Sequence, residues 1–265
     1  FLMIRRRPRS TLSSSSAASD VYKRQQQYYE IAQSRMRAKN YFSAIDALEM
    51  IVTRYPFGRY AEQAQSELIY VHFMNGDDEA AHAATEKFIR LHPRHPNIDY
   101  AYFMRGITSY TRDKSFFARL FEDNLPKRDI SGAKQSFSEL SEFLTRFPDS
   151  QYAPYANQRL IYLRNMIAKH ELTAADYYLR REAYIAALRR AKYVLEHIPN
   201  SSENLRALNI LKEAYENLGY LDLLEDVEKT IVINYPDQEL EDSKTESRGF
   251  WPFNREAPKP PQQES

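Results

Sequence analysis

The chain has 265 residues, 43% of them hydrophobic, and its formal charges almost cancel, with 37 Lys and Arg against 36 Asp and Glu for a net +1. That length suits one elongated domain or two compact ones, and the charge balance excludes a global field that would recruit nucleic acid or anionic lipid. The lack of cysteine excludes disulfide scaffolds, thiolate zinc sites and cysteine nucleophiles, and no run of about 18 apolar residues offers a membrane-spanning helix.

The first 25 residues, FLMIRRRPRSTLSSSSAASDVYKRQ, are rich in Arg and Ser with no acid before Asp20, and so imitate a transit peptide. They also resemble the conceptual translation of sequencing-library adapter, and helical periodicity begins only near Gln26. Residues 1–25 are therefore expected to be non-native and dispensable for folding. On that reading the native start is missing, together with any signal peptide or acylated cysteine.

From 26 to 236 a proline recurs after an apolar, aromatic or histidine residue, at Tyr55-Pro56, His92-Pro93, Phe147-Pro148, Ile198-Pro199 and Tyr235-Pro236, with intervals of 37, 55, 51 and 37. Five and four residues before each proline stands an apolar pair: Ile51-Val52, Phe88-Ile89, Phe143-Leu144, Val194-Leu195 and Ile231-Val232. Twelve before it the residue is small (Ala44, Ala81, Ser136, Ala187), except for Leu224. Helices that cross closely need such a residue. Breakers stand further back, at Lys39-Asn40, Gly76-Asp77, Ser131-Gly132 and Gly219. Each unit thus reads helix, turn, helix, proline stop, which is the tetratricopeptide pattern. The predicted fold is all-α, a right-handed superhelix of about five tetratricopeptide repeats, because a lone helix pair cannot bury its own apolar face.

The two long intervals have separate causes. In the third unit an insertion, TRDKSFFARLFEDNLPKRD, separates a helix near 97–110 from one near 130–146, with Asn97 as the expected cap. Its Phe116, Phe117, Leu120 and Phe121 form an apolar stripe that either folds back over the groove or is offered to a partner. In the fourth unit no Pro or Gly interrupts 155–198, which predicts one long helix from about Gln151 to Arg181. That helix repeats an earlier stretch. TRYPFGRYAEQAQSELIYV (53–71) aligns without gaps on TRFPDSQYAPYANQRLIYL (145–163), and Tyr152, Ala156, Leu160 and Leu163 match Tyr60, Ala64, Leu68 and Val71 as a predicted buried stripe.

Catalysis has little to stand on. None of the six histidines pairs at metal-ligand spacing with a glutamate on one helix, and the six glycines are too scattered to build a phosphate-cradling loop. Acid pairs such as Asp77-Asp78 and Glu122-Asp123 lie in turn or insertion contexts. No cofactor, metal or enzymatic activity is expected. Binding features are more numerous: Tyr177-Tyr178, Arg180-Arg181, Tyr184, Arg189-Arg190 and Lys192 concentrate aromatic and cationic groups in the fourth unit. They read either as a solvated face with tyrosines in the core or as a docking patch for an acidic partner. Base stacking on RNA is a weaker third reading, opposed by the neutral charge. Arg190 borders the face of Ala187, Ala191 and Val194, so it is expected to reach into the groove, and Arg190→Glu to weaken docking while leaving the helices intact. Residues 237–265 are polar, proline-bearing and aperiodic, and are expected to be disordered. Their FWPF, at 250–253, holds the sole tryptophan and reads as a segment clinging to its own domain or as a short linear motif.

RYPFGRYAEQAQ (54–65), FIRLHPRHPNIDYAYFMRG (88–106), LPKRD (125–129), RFPDSQYAPYA (146–156) and YYLRREAYIAALRRAKYVLE (177–196) together resemble the BamD family of outer-membrane-assembly lipoproteins. The resemblance covers nearly all of 26–236. It implies a five-repeat lipoprotein on the periplasmic face of the outer membrane, tethered through a lipid, in the complex that inserts β-barrel proteins. It further implies contact with the barrel-forming subunit BamA through C-terminal repeats, and with a BamC-type lipoprotein and unfolded β-barrel precursors through N-terminal ones. The lipid-bearing cysteine is absent, in keeping with the suspect first 25 residues. The stretches that carry the resemblance add Tyr60 and Arg105 to the candidate contacts Tyr184, Arg189, Arg190, Phe116, Phe117 and Phe121. Another repeat adaptor, a cell-division coordinator or a peptide-binding co-chaperone, is the alternative function.

Overall fold

A residue that precedes proline is pushed out of the α-helical region by the proline ring, and this chain uses that clash five times to stop a helix. The computed structural model describes residues 12–112 and 130–236. Among them lie α1 (Leu12–Arg37), α2 (Tyr41–Arg54), α3 (Ala61–Asn75), α4 (Asp78–Leu91), α5 (Ile98–Arg112), α6 (Ser131–Arg146), α7 (Ala153–Leu179), α8 (Tyr184–His197), α9 (Asn204–Leu218) and α10 (Leu221–Asn234), and no strand. The expected helices near 97–110, 130–146 and 151–181 are α5, α6 and α7. Tyr55, His92, Phe147, Ile198 and Tyr235 end the even-numbered helices in one shared conformation, φ between −126° and −136° with ψ between 54° and 61°. Each backbone N–H still reaches the carbonyl four residues back, at Ile51, Phe88, Phe143, Val194 and Ile231. Phe116, Phe117 and Phe121 lie outside the described residues, as does the 237–265 segment with its FWPF.

The chain divides into two compact units between Ala101 and Tyr102, inside α5. In the first, α1 packs on α2, α2 on α3 and α3 on α4. Ala32, Met36, Ala44, Ala47, Leu48, Ile51, Ala64, Leu68, Tyr70 and Val71 form a buried cluster. The breakers act as read: Lys39 takes a positive φ of 56°, Asn40 caps α2 by accepting from the Ser43 amide (3.2 Å), and Gly76 closes α3 at φ 91°. Helix α1 begins ahead of Gln26. Gln25 is buried, with its side chain where a Cβ on Gly58 would stand, and the Tyr22 hydroxyl meets those of Tyr60 (3.4 Å) and the guanidinium of Arg59 (3.3 Å). Packed structure therefore reaches back at least to Tyr22.

In the second unit α6 packs on α7, α7 on α8, α8 on α9 and α9 on α10. The 27 residues of α7 span about 40 Å, long enough to touch α9 as well, where Arg206 pairs with Asp176. Tyr152, Ala156, Leu160, Leu163 and Ile167 are all buried, as the duplicated stripe predicts. One turn reading needs correction: Ser131 and Gly132 are not a turn but the first residues of α6, with Gly132 buried. The fourth unit, for which no breaker was read, turns at Arg180–Ala183, at the expected end of the long helix, where Glu182 carries φ 57° without being glycine.

Gly106 lets α5 approach α6 closely. A Cβ there would lie 2.6 Å from the Leu140 side chain, and Ser136 Oγ donates to the Gly106 carbonyl at 2.6 Å. Gly106→Ala should force Leu140 to shift at a cost of about 1–3 kcal/mol, more than the roughly 1 kcal/mol that alanine's helix propensity returns. A urea titration should show a lower midpoint at unchanged slope.

Candidate partner-binding surfaces

Helices α6, α7 and α8 meet at a buried carboxylate. The Glu171 side chain, 4% exposed, accepts from Arg190 (Nη1, 2.6 Å) and Lys134 (Nζ, 3.1 Å), so one acid on α7 pins both neighbouring helices. Burial on its own would raise the Glu171 carboxyl; the bonds and charges of Arg190 and Lys134 together outweigh it and hold the group below its ordinary value. Arg190 borders the buried side of α8 as its spacing predicts, but its guanidinium is bonded to Glu171 although the side chain is 46% exposed, so it is not a free groove cation. Charge reversal at 190 would therefore attack the fold before any partner.

What remains open at this end is a set of groups on the α7–α8 turn and on α8. Arg180, Arg181 and Arg189 are exposed, and none has an ion-pair partner among the described residues. Tyr177 is exposed with the Arg181 guanidinium 4.8 Å over its ring, while Tyr184, at the first position of α8, is half-buried. Cations at the end of α7 suit its unpaired carbonyls, which gives Arg180 and Arg181 a local reason beyond any partner. Arg105 is spoken for in another way. It lies mostly buried beside α6, bonded to Glu142 (2.5 Å), near Glu139 (3.9 Å) and 4.8 Å over the Tyr102 ring.

In the first unit Tyr60 is stacked between Tyr29 (centroids 4.9 Å apart) and Tyr22 (6.1 Å). Below that stack lies a second buried carboxylate. Glu67 accepts from the Tyr29 hydroxyl (2.7 Å), twice from Gln33 (2.8 Å) and from Gln63 (3.0 Å). Burial and the Glu67 carboxylate drive the Tyr29 hydroxyl far above its usual value, so it stays a donor. Neither Glu67 nor Glu171 is prominent in the sequence, where each is one acid among 36; a glutamate in an otherwise apolar helix stripe is the signal that could have marked them.

The profile of the YfiO family, described as outer membrane lipoprotein, matches residues 22–237. An outer membrane protein assembly factor BamD from Vibrio cholerae is 37% identical over 208 residues, which is 78% of this chain and 86% of that one. Those of Xylella fastidiosa strain 9a5c and Neisseria meningitidis serogroup A are each 34% identical, covering 84% and 78% of this chain and 75% and 78% of theirs. The chain belongs to this family. The family match starts at Tyr22, which packs against Arg59 and Tyr60, and takes in the ten helices of the described residues apart from the first part of α1.

Two variants separate the paired from the unpaired arginine. Arg190→Glu should lower stability by about 2 kcal/mol, through loss of a charge-assisted bond to a buried acid, while Arg189→Glu should stay within about 0.5 kcal/mol of the parent. Thermal denaturation followed by circular dichroism reads both. The depressed Glu171 carboxyl also sets a pH limb. Its stabilisation is complete above the ordinary carboxylate value of about 4.3 and is lost as the pH falls through its lower folded value. The melting curves of the parent and of Glu171→Gln should therefore converge on acidification and diverge towards neutrality.

Proposed function

We propose that the chain is a non-catalytic scaffold of outer membrane protein assembly, which brings a barrel-forming subunit of the BamA type together with precursors of β-barrel proteins. The observation that carries this reading is the family membership over residues 22–237, with relatives named as outer membrane protein assembly factors. Packed helix pairs support it physically, since they present side chains in fixed positions and bind without ordering themselves first. The C-terminal repeats hold the barrel-forming subunit, and the N-terminal repeats hold the precursor and a BamC-type lipoprotein. The protein works at the periplasmic face of the outer membrane, tethered there by a lipid in its native form; among the described residues no helix is long and apolar enough to cross a membrane.

On this reading Tyr177, Arg181, Tyr184 and Arg189 meet an acidic surface of the barrel-forming subunit. The double variant Arg181→Glu with Arg189→Glu should bind the isolated periplasmic domains of that subunit about tenfold more weakly at low salt, mainly by slower association, with the deficit shrinking as ionic strength rises. Surface plasmon resonance across a salt series measures this. Parent-like affinity of the double variant would remove these side chains from the interface, and no binding by the parent would remove the scaffold reading itself.

A further inference from the structure

Each even-numbered helix before the last carries three fully buried positions, twelve, eight and five residues ahead of its proline: Ala44, Leu48 and Ile51; Ala81, Thr85 and Phe88; Ser136, Leu140 and Phe143; Ala187, Ala191 and Val194. On α2, α6 and α8 the next helix, reached by the connections 55–60, 147–152 and 198–203, packs against the helix that holds them. In α10 the same register places Leu224, Glu228 and Ile231, and none of them is buried. Beside them Leu221 and Val232 are 70% and 69% exposed. No helix follows α10 among the described residues. The last helix thus repeats the face that its predecessors cover, and leaves it open.

The chain that leaves α10 suits this face chemically. Leu224 replaces the small residue of the other units, which keeps a following helix from approaching as closely, and Pro252 opposes helix in the segment that would supply one. The aromatic residues of that segment are Phe250, Trp251 and Phe253, with Arg248 two positions before them and Arg255 two after. Along α10 four acids (Asp222, Glu225, Asp226, Glu228) face one base (Lys229), a formal balance of −3. Glu225 and Glu228 fall between Leu221 and Val232 on one helical line, and their present partners, Lys229 and Lys212, form exposed pairs of the weak, exchangeable kind. Reach agrees as well. The 14 residues from Pro236 to Phe250 have a root-mean-square span of about 20 Å as a flexible chain, and α10 is about 21 Å long.

We propose that Phe250, Trp251 and Phe253 dock on the face of Leu221, Leu224, Ile231 and Val232, with Arg248 and Arg255 against Glu225 and Glu228. The repeat array is thereby closed by its own chain, as solenoid ends require a cover. A linker of this length gives the segment an effective concentration on the order of millimolar, which favours it over a second copy of the protein.

Trp251 is the sole tryptophan, so its fluorescence reports this contact without ambiguity. In the full chain its emission should lie at shorter wavelength than in a peptide of residues 237–265, with weaker acrylamide quenching, and both should be independent of protein concentration. Leu221→Asp with Val232→Asp should abolish the shift and the protection while circular dichroism stays helical. Phe250→Ser with Phe253→Ser should do the same without touching α10, so that a folding defect in the first pair cannot be mistaken for undocking. Peptide-like emission from the unaltered full chain would overturn the proposal, as would protection that survives the α10 substitutions in a folded protein. Protection that grows with protein concentration would assign the face to a second copy, and protection seen only with added phospholipid vesicles would assign the segment to a lipid surface; either result overturns it.

Discussion

Proline at the end of every second helix constrains more than the helix it stops. Because the preceding residue takes one conformation in all five units, the chain leaves each even-numbered helix in the same direction, and four times it restarts a helix after six residues, at 55–60, 92–97, 147–152 and 198–203. A fixed exit and a fixed connection bring each following helix back in a constant register. Ala44, Ala81, Ser136 and Ala187 can therefore all occupy the position where only a small side chain allows close approach. Without that constant register the same apolar pairs would meet different neighbours in each unit, and one packing solution could not serve four times.

The two copies of the duplicated stretch share this scaffold but differ in the charge they hold inside it. Glu67 and Arg159 occupy equivalent positions, 92 residues apart. In the first copy a tyrosine of the neighbouring α1, Tyr29, satisfies the acid through its hydroxyl; in the second a tyrosine of α5, Tyr110, receives the guanidinium over its ring at 4.0 Å. The phenol is suited to both, having a polar tip for an anion and a π face for a cation. An opposite charge at one site of a conserved geometry is a direct way for two similar repeats to become chemically different without altering their packing.

Periodicity made the helix pairs, the stripe of α7 and the five proline stops legible, because each follows from the spacing of residue types along one helix. Ile51, Phe88, Phe143 and Val194 are buried as their place before proline requires. The side-chain commitments of Arg105 and Arg190 could not be read that way. Spacing places Arg190 at the border of a buried face, but whether a long guanidinium turns out to solvent or in to Glu171 depends on what α7 offers opposite it, nineteen residues back in the chain. The turn after α7 lies where the long helix was expected to end, but its left-handed residue, Glu182, was not legible, because no glycine marks it. The start of the packed structure likewise depends on Tyr22 and Gln25, polar or amphipathic residues that add nothing to an apolar period.

These commitments also decide which charges are left for partners. Lys134 and Arg190 are spent on Glu171, Arg105 on Glu142 and Arg206 on Asp176, so four of the cations from α5 to α9 already hold the helices to one another. Arg180, Arg181 and Arg189 remain, with Tyr177 held under the Arg181 guanidinium. A partner that docks there meets an aromatic ring already steadied by its own arginine, so less side-chain freedom is lost on binding than the exposure of these residues suggests. On the proposed function, internal pairing cancels charges that build the scaffold and leaves Arg180, Arg181 and Arg189 to face outward from a near-neutral chain.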